Sequence, residues 1–149
     1  MEGKTRERIL SPIRGGKQSQ KTVDQAIELA LSESAHLYFL YIVDVDFLGY
    51  ATVARVKLMV DELRETGYFA MSMLCDKARA RGVENVEALI REGNIEDVVV
   101  SVAKEIHATR LVMGHPVRNP GVKSFTPRKF SKFIETIRES TGLEIHNVE

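Results

Sequence analysis

The sequence predicts an α/β fold in which a parallel sheet is covered by helices on both faces. Short apolar runs suited to buried strands alternate with longer segments whose apolar residues recur at helical spacing. The clearest strand, residues 111–113, stops at Gly114, and so short a run ended by glycine is typical of a central parallel strand. Strands that alternate with helices in this way imply right-handed crossovers within one parallel sheet.

Length and composition indicate one globular domain over residues 1–149. The chain has 21 basic and 21 acidic residues, so no overall field predicts binding to nucleic acid or to a membrane surface. Residues 1–8 are charged and lack the apolar segment of a signal peptide, and the longest apolar run, residues 37–43, is too short to cross a bilayer. The single cysteine, Cys75, is expected to be a buried structural thiol. We therefore expect a soluble, cytoplasmic protein.

The first half of the chain predicts three strands and two helices. Residues 9–13 form a strand that ends in a glycine pair suited to a tight turn, and Ser19 is placed to cap the first helix. Residues 37–43 and 83–90 are the second and third strands. The first helix, and a longer one over about residues 52–81, carry apolar residues at helical spacing: Val23, Ala26, Ile27, Ala30, Leu31, then Val53, Val56, Val60, Leu63, Ala70, Leu74 and Ala78. Gly67 lies on the second stripe and predicts close packing or a kink.

A third helix and a fourth strand follow. Asn94, after Gly93, is placed to cap the third helix, and Asp97 in its first turn suits the helix dipole. The fourth strand is residues 110–113. The buried stripe of the third helix keeps helical periodicity despite its valine run: Ile95, Val98, Val99, Val102, Ala103 and Ile106.

The last helix follows a polar loop that extends to residue 125. Thr126 is placed as its cap, and Pro127 stands at its first position, where the missing N–H has no cost. Gly142 ends the helix, and residues 143–148 predict a fifth strand. The stripe predicted to be buried is Phe130, Phe133, Ile134 and Ile137.

Four local motifs, in the same order and at the same spacing, resemble those of the universal stress protein family. They are residues 9–16 (ILSPIRGG), 40–44 (LYIVD), 92–97 (EGNIED) and 108–114 (ATRLVMG). The resemblance covers nearly the whole chain. It implies an open five-stranded parallel sheet of order 3-2-1-4-5 with helices on both faces, of the Rossmann-like, adenine-nucleotide-α-hydrolase type.

The resemblance also implies a ligand site where the loops after the first and fourth strands meet. Members of the family that bind ATP use an acidic residue after strand one, backbone at the end of strand two, and a Gly-x2-Gly-x9-Gly-(Ser/Thr) run after strand four. Glycines let backbone N–H groups approach phosphates, and the next helix N-terminus favours an anion. The corresponding positions here are Pro12, Ile13, Arg14, Ile42, Gly114, His115, Val117 and Arg128.

The chain departs from that pattern at four positions. Arg14 stands at the acidic position, Val117 at the second glycine, and Pro127-Arg128 at the final Gly-(Ser/Thr) pair, so that Gly114 alone is retained. Valine is a poor substitute where positive φ or a close phosphate is needed, and proline offers no N–H donor. We expect ATP binding to be weak or absent and no cofactor to be required, with ATP, AMP or phosphate left open as ligands.

The two loops are nevertheless basic, which leaves a second hypothesis open. No acidic residue lies between residues 118 and 134, so the local field is predicted to be positive and an anion could bind where the last helix begins. The alternative is a solvated basic surface that binds nothing specific. The basic residues of the two loops are Arg14, Lys17, Lys21, Arg118, Lys123, Arg128, Lys129 and Lys132.

No nucleophile, base and orienting group can be assembled from the sequence, so we expect no enzymatic activity. The four histidines lack metal-ligand spacing, and His115 alone lies in the site loop. Because some members of the family are phosphorylated, Ser124, Thr126 and Ser131 are candidate phosphoacceptors, although Thr126 is more simply a helix cap.

The first hypothesis is therefore a non-enzymatic regulatory domain of the universal stress protein type, acting in stress response with a degenerate ATP motif. It is expected to form a homodimer through residues 143–148, because an exposed edge strand invites pairing, and in the family this strand pairs with its partner. A protein partner in stress signalling is also expected. The alternative is a nucleotide- or small-anion-binding protein of the same fold with a rewired basic pocket.

Overall fold

A computed structural model describes residues 6–14, 19–44, 53–114 and 127–148. Across these residues, strands and helices alternate, as predicted. All strand pairs are parallel, and the sheet order is β3-β2-β1-β4-β5, which confirms the predicted order. The elements are β1 (Arg8–Pro12), α1 (Gln20–Glu33), β2 (His36–Val43), α2 (Val53–Ala80), β3 (Val86–Glu92), α3 (Ile95–Glu105), β4 (Arg110–Gly114), α4 (Pro127–Thr141) and β5 (Glu144–Val148).

The sheet divides the hydrophobic core into two layers. Ile9 and Phe39 point to the face that α1 and α2 cover, whereas Leu10 and Leu40, one residue further along, point to the face under α3 and α4. All four side chains are fully buried. Because successive strand side chains alternate between faces, burial on both faces requires an unbroken apolar run, and this is why β1 and β2 could be recognised in the sequence.

The two predicted helix caps differ in outcome. Asn94 has extended backbone (φ −76°, ψ 138°), and its side chain accepts hydrogen bonds from the N–H groups of Glu96 and Asp97. Ser19 occupies the position before α1 but makes no capping hydrogen bond from its side chain. Its backbone is already helical (φ −81°, ψ −12°), whereas a capping residue needs the extended conformation that Asn94 has.

Glycines and turns account for the remaining boundaries. A Cβ at Gly67 would overlap the ring of Tyr41, so the predicted close packing of α2 on the sheet is confirmed. Gly82, at φ +110°, follows the end of α2 as predicted. The third strand begins at Val86 rather than at Val83, because the N–H of Val83 bonds back to the carbonyl of Ala78 and still belongs to the helix end. Among the helices of the described ranges, none is long and apolar enough to span a bilayer.

Candidate functional site

The order of the sheet reverses between β1 and β4, and this switch point is the place to look for a ligand. All strands are parallel, so the carboxyl ends of the strands and the N-termini of the helices that follow them lie at one edge. Strands β1 and β4 pair at two consecutive positions, Ile9 with Arg110 and Leu10 with Leu111. In open α/β sheets, ligands bind in the crevice outside such a switch point.

The ends of β1 and β2 form one side of this crevice. Pro12 pairs with Leu40, and the N–H of the buried Ile13 donates to the carbonyl of Leu40 at 2.9 Å. Strand β2 continues beyond that point to Val43, so the backbone of Ile42 lies past the end of β1. The structure thus places Pro12, Ile13 and Ile42 at one edge of the sheet.

Gly114 ends β4 on the other side of the crevice, and its surroundings explain why it is glycine. A Cβ at this position would lie 2.6 Å from the side-chain oxygen of Thr22, which is closer than two such atoms can approach. Thr22 is buried in the first turn of α1. Packing against α1 therefore requires glycine here, whether or not a phosphate also approaches.

The remaining predicted positions divide between the described residues and those outside them. Arg14 follows β1 and is exposed, and Arg128 is exposed in the first turn of α4, which begins at the same edge of the sheet. Ser131 is exposed on α4. Some predicted positions lie outside the described residues: His115, Val117, the basic residues Lys17, Arg118 and Lys123, and the candidate phosphoacceptors Ser124 and Thr126.

The helices that begin at this edge differ in the charge of their first turns. The first turns of α1, α2 and α4 contain no acidic residue, whereas α3 has Glu96 and Asp97 there. Basic residues occupy those three first turns instead, although the interaction of each positive charge with the helix dipole is unfavourable by about 0.3–1 kcal/mol. They are Lys21, Arg55, Arg128 and Lys129. Asp44, after β2, is an acidic residue at the same edge.

Three of the basic side chains at this edge are available to a ligand. Arg14, Lys21 and Arg128 form no ion pair with another described residue. A guanidinium can bind a phosphate through two parallel hydrogen bonds, and an ammonium interacts with the phosphate as a point charge. The arrangement of charge at the switch point therefore suits an anion.

A buried hydroxyl near the end of β1 was not anticipated from the sequence. Ser11 is fully buried, and its Oγ has no hydrogen-bond partner among the described residues. The signal was available, because Ser11 interrupts the apolar run of residues 9–13. Buried polar groups are ordinarily satisfied, so an unpartnered hydroxyl one residue before the last residue of β1 is an exception in the packing of this strand.

The described residues contain neither a metal-binding cluster nor an activated cysteine. Within the described ranges, no cluster of three or more His, Cys, Asp or Glu side chains could hold a metal ion. Burial raises the pKa of the Cys75 thiol, which keeps it protonated and a poor nucleophile. His36 contacts Glu87 (Nε2–Oε2, 2.9 Å), but both residues lie towards the amino ends of their strands, away from the crevice.

One family model matches most of the chain. The model described as "Universal stress protein family" matches residues 5–125. No curated protein matches the chain in sequence.

Solved structures with the same fold include the universal stress protein UspA from Lactobacillus plantarum, with 18% identity, coverage of 98% of this chain and 100% of that one, and a TM-score of 0.78. A universal stress protein in complex with cAMP has 18% identity, 98% coverage of both chains and a TM-score of 0.68. A universal stress protein from Archaeoglobus fulgidus in complex with dAMP has 15% identity, coverage of 97% and 98%, and a TM-score of 0.59. At these identities the likeness shows the fold.

Proposed function

Because the chain belongs to the universal stress protein family, we propose that it is a non-enzymatic regulatory domain that acts in the cytoplasmic stress response and binds ATP weakly or not at all. The observation that carries the proposal is the charge at the switch point. Arg14 and Arg128 are exposed at the two positions where ATP-binding members have an acidic residue and a small hydroxyl residue. A site arranged in this way lacks the contacts that select ATP.

The size of the expected loss follows from the contacts that are missing. Val117 and Pro127 stand at glycine positions of the family pattern, and Pro127 has no N–H to donate to a phosphate. Each charge-assisted contact is worth about 1.5–3 kcal/mol. Losing two of them shifts a micromolar binder to about millimolar affinity or weaker.

Calorimetry with Mg-ATP tests this proposal. We expect a dissociation constant of about 1 mM or weaker. A value in the low micromolar range would contradict it, because the arginines would then have replaced the glycine-rich run. Turnover of Mg-ATP by the purified protein, at a rate that Arg14→Ala and Arg128→Ala abolish, would contradict the non-enzymatic part.

A second candidate function is binding of a nucleotide monophosphate or a small anion in a rewired basic pocket. It is favoured by Arg14, Lys21 and Arg128, which are exposed or at the surface of this edge and form no ion pair with another described residue. Two of the structures with this fold are complexes with cAMP and dAMP, each of which carries a single phosphate. Mass spectrometry of material released from gently purified protein separates the two candidates: a stoichiometric phosphate ester supports the second, and an empty protein supports the first.

We also propose a homodimer joined through β5. This strand pairs with β4 on one side, and most of its residues are only half buried. A cavity of about 280 Å³, lined by α1 residues together with Val112 and His146, lies where α1 leaves β5 partly uncovered. An exposed edge strand favours antiparallel pairing with a second copy across a two-fold axis. Deletion of residues 143–149 should yield a folded monomer by sedimentation and circular dichroism, and an unchanged dimer would place the interface elsewhere.

A further inference from the structure

The outer surface of α2 carries most of the exposed apolar bulk of the described residues. Six large apolar side chains are more than a third exposed, and five of them lie on this one helix. These five are Leu58 (60% exposed), Met59 (39%), Tyr68 (65%), Phe69 (69%) and Met73 (58%). Single exposed apolar residues are ordinary, but a concentration on one helix marks a binding surface.

Helical geometry places three of these side chains on the side facing away from the sheet. Leu58, Phe69 and Met73 are separated by eleven and four residues, which at 3.6 residues per turn brings them onto one face. The opposite face is the buried one and packs on β2 and β3. Its buried residues are Val60, Gly67, Met71, Cys75 and Ala78. At roughly 100 Å² for each exposed side chain, the three on this face present about 300 Å² of apolar surface, which suits the small end of the range of protein interfaces.

Unpaired carboxylates accompany this apolar stripe. Glu62 and Glu65 lie between Leu58 and Phe69 on the same face, and Asp61 lies beside them. None of these three acids forms an ion pair or a hydrogen bond with a described residue, whereas most basic residues in the middle and second half of α2 are already paired. Those pairs are Arg64–Glu92 at 3.1 Å, Lys77–Asp24 at 3.0 Å and Arg79–Asp76 at 3.4 Å. Between Leu58 and Met73, the outer face of α2 is therefore apolar and acidic.

We propose that this surface, which we call the α2 outer face (Leu58, Glu62, Glu65, Phe69 and Met73), binds a basic amphipathic helix of a partner protein. The apolar side of such a helix would cover Phe69 and Met73, and its Lys or Arg residues would compensate Glu62 and Glu65. This is recognition of one amphipathic helix by another, with aromatic and methionine anchors and a charged rim.

A second copy of the chain fits the α2 outer face less well. The basic side chains in the last turn of a facing α2 are Lys77 and Arg79, and both already form ion pairs, with Asp24 at 3.0 Å and with Asp76 at 3.4 Å. Two copies meeting here would therefore bring uncompensated carboxylates together unless those pairs were broken. The surface also lies away from the switch point, so the proposal does not depend on what the crevice binds.

The test uses a defined probe on the full chain. A synthetic peptide of Leu and Lys, roughly 18 residues long with its leucines at helical spacing, is titrated into isotopically labelled protein and followed by NMR. A matched peptide with Glu in place of every Lys is the control. We expect micromolar binding of the Lys peptide, shifts centred on α2, and binding of the Glu peptide that is weaker by at least about tenfold.

Paired variants distinguish this surface from general stickiness. Phe69→Ser with Met73→Ser should weaken binding of the Lys peptide by about tenfold or more, since anchor residues dominate such interfaces. Glu62→Lys with Glu65→Lys should reverse the preference between the two peptides. Leu31→Ser, an exposed apolar site on α1, and Glu135→Lys with Glu139→Lys on α4 should change nothing.

Four results would overturn the proposal, and the first three come from the peptide titration. They are equal binding of both peptides, shifts that lie outside α2, and no binding at about 1 mM peptide. A fourth is self-association of the unmodified protein, measured by sedimentation, that Phe69→Ser with Met73→Ser removes, because the α2 outer face would then be occupied by a second copy. All the substituted side chains are exposed, so circular dichroism should show an unchanged fold.

Discussion

At the amino edge of the sheet Arg110 is held by three carboxylates, whereas at the carboxyl edge Arg14 and Arg128 form no ion pair with another described residue. Arg110 is only 24% exposed, and its partners come from the residue before β1, from the end of α1 and from β5. They are Glu7 at 3.8 Å, Glu33 at 3.4 Å and Glu144 at 3.1 Å. Charge at the amino edge therefore joins distant segments of the chain.

Arg8 has a similar role at the amino edge. Its side chain donates to the carbonyl of Ile106 at 3.0 Å and reaches the hydroxyl of Tyr38 at 3.5 Å, and its backbone N–H donates to Thr109 Oγ1 at 3.0 Å. The contrast indicates that Arg8 and Arg110 at the amino edge stabilise the fold, while Arg14 and Arg128 at the carboxyl edge remain available to a ligand. The placement agrees with the position of ligand sites in open α/β sheets.

The largest effect that this contrast predicts is at Arg110. Replacing it as Arg110→Met leaves three carboxylates near one another without their shared cation, and we expect the free energy of unfolding to fall by about 2–4 kcal/mol. Arg14→Met should change it by less than about 0.5 kcal/mol, since Arg14 is exposed. Urea unfolding monitored by circular dichroism measures both values. Equal decreases in the free energy of unfolding for the two variants would contradict the proposed difference between the edges.

Gly114 gives the next largest effect, and it tests whether this carboxyl-edge glycine is structural. Gly114→Ala should lower the free energy of unfolding by about 1–3 kcal/mol, because the new methyl group collides with the side chain of Thr22. In the double variant Gly114→Ala with Thr22→Ala, the space that Thr22 vacates should make the combined loss smaller than the sum of the two. Additive losses in the double-mutant cycle would show that the contact does not determine the residue at this position.

Phosphate should produce a smaller effect, confined to the carboxyl edge. If the anion-binding candidate is correct, phosphate at about ten times its dissociation constant stabilises the protein by about 1.4 kcal/mol. Arg14→Ala with Arg128→Ala should abolish this stabilisation without lowering the stability measured in the absence of phosphate. Arg138→Ala, an exposed arginine in the last turn of α4, is the matched control. Equal stabilisation of all three proteins would indicate a general salt effect.

Local pattern predicted most of the fold. The order of elements, the cap at Asn94 and the close packing at Gly67 each depend on a few neighbouring residues, or on the spacing of apolar residues along one helix. Ser19 was predicted as a cap from residue type alone, and its helical backbone prevented that role. Residue type does not report the backbone conformation on which capping depends.

The placement of the candidate site residues at the strand ends was predictable, but their tertiary contacts were not. Strand ends placed Pro12, Ile13 and Ile42 at one edge. The contact of Gly114 with Thr22, however, joins residues far apart in the sequence and depends on how α1 sits on the sheet. The cluster at Arg110 has the same character, since Glu7 and Arg110 come together only through the pairing of β1 with β4. Such contacts are decided by tertiary packing, which local spacing does not encode.

The smallest predicted effect concerns pH at the amino edge. Burial raises the pKa of Tyr38 above its ordinary 10.0, although the positive charge of Arg8 acts in the opposite direction. The folded protein therefore holds this proton more tightly than the unfolded chain does. The associated stability is fully present below pH 10.0 and is lost as the pH rises through the pKa of the folded state.

A pair of tyrosine variants measures that dependence. Tyr38→Phe removes the titrating hydroxyl, so its free energy of unfolding should fall less steeply above pH 10.0 than that of the unmodified protein. Tyr68→Phe is the matched control, because Tyr68 is 65% exposed on α2 and should leave the slope unchanged. Guanidinium unfolding over a series of alkaline buffers gives the slopes. An identical slope for Tyr38→Phe and the unmodified protein would mean that the Tyr38 hydroxyl is as well solvated in the folded state as in the unfolded one. The contrast between the edges would then rest on the ion pairs of Arg110 and on the hydrogen bonds of Arg8 with Ile106 and Thr109.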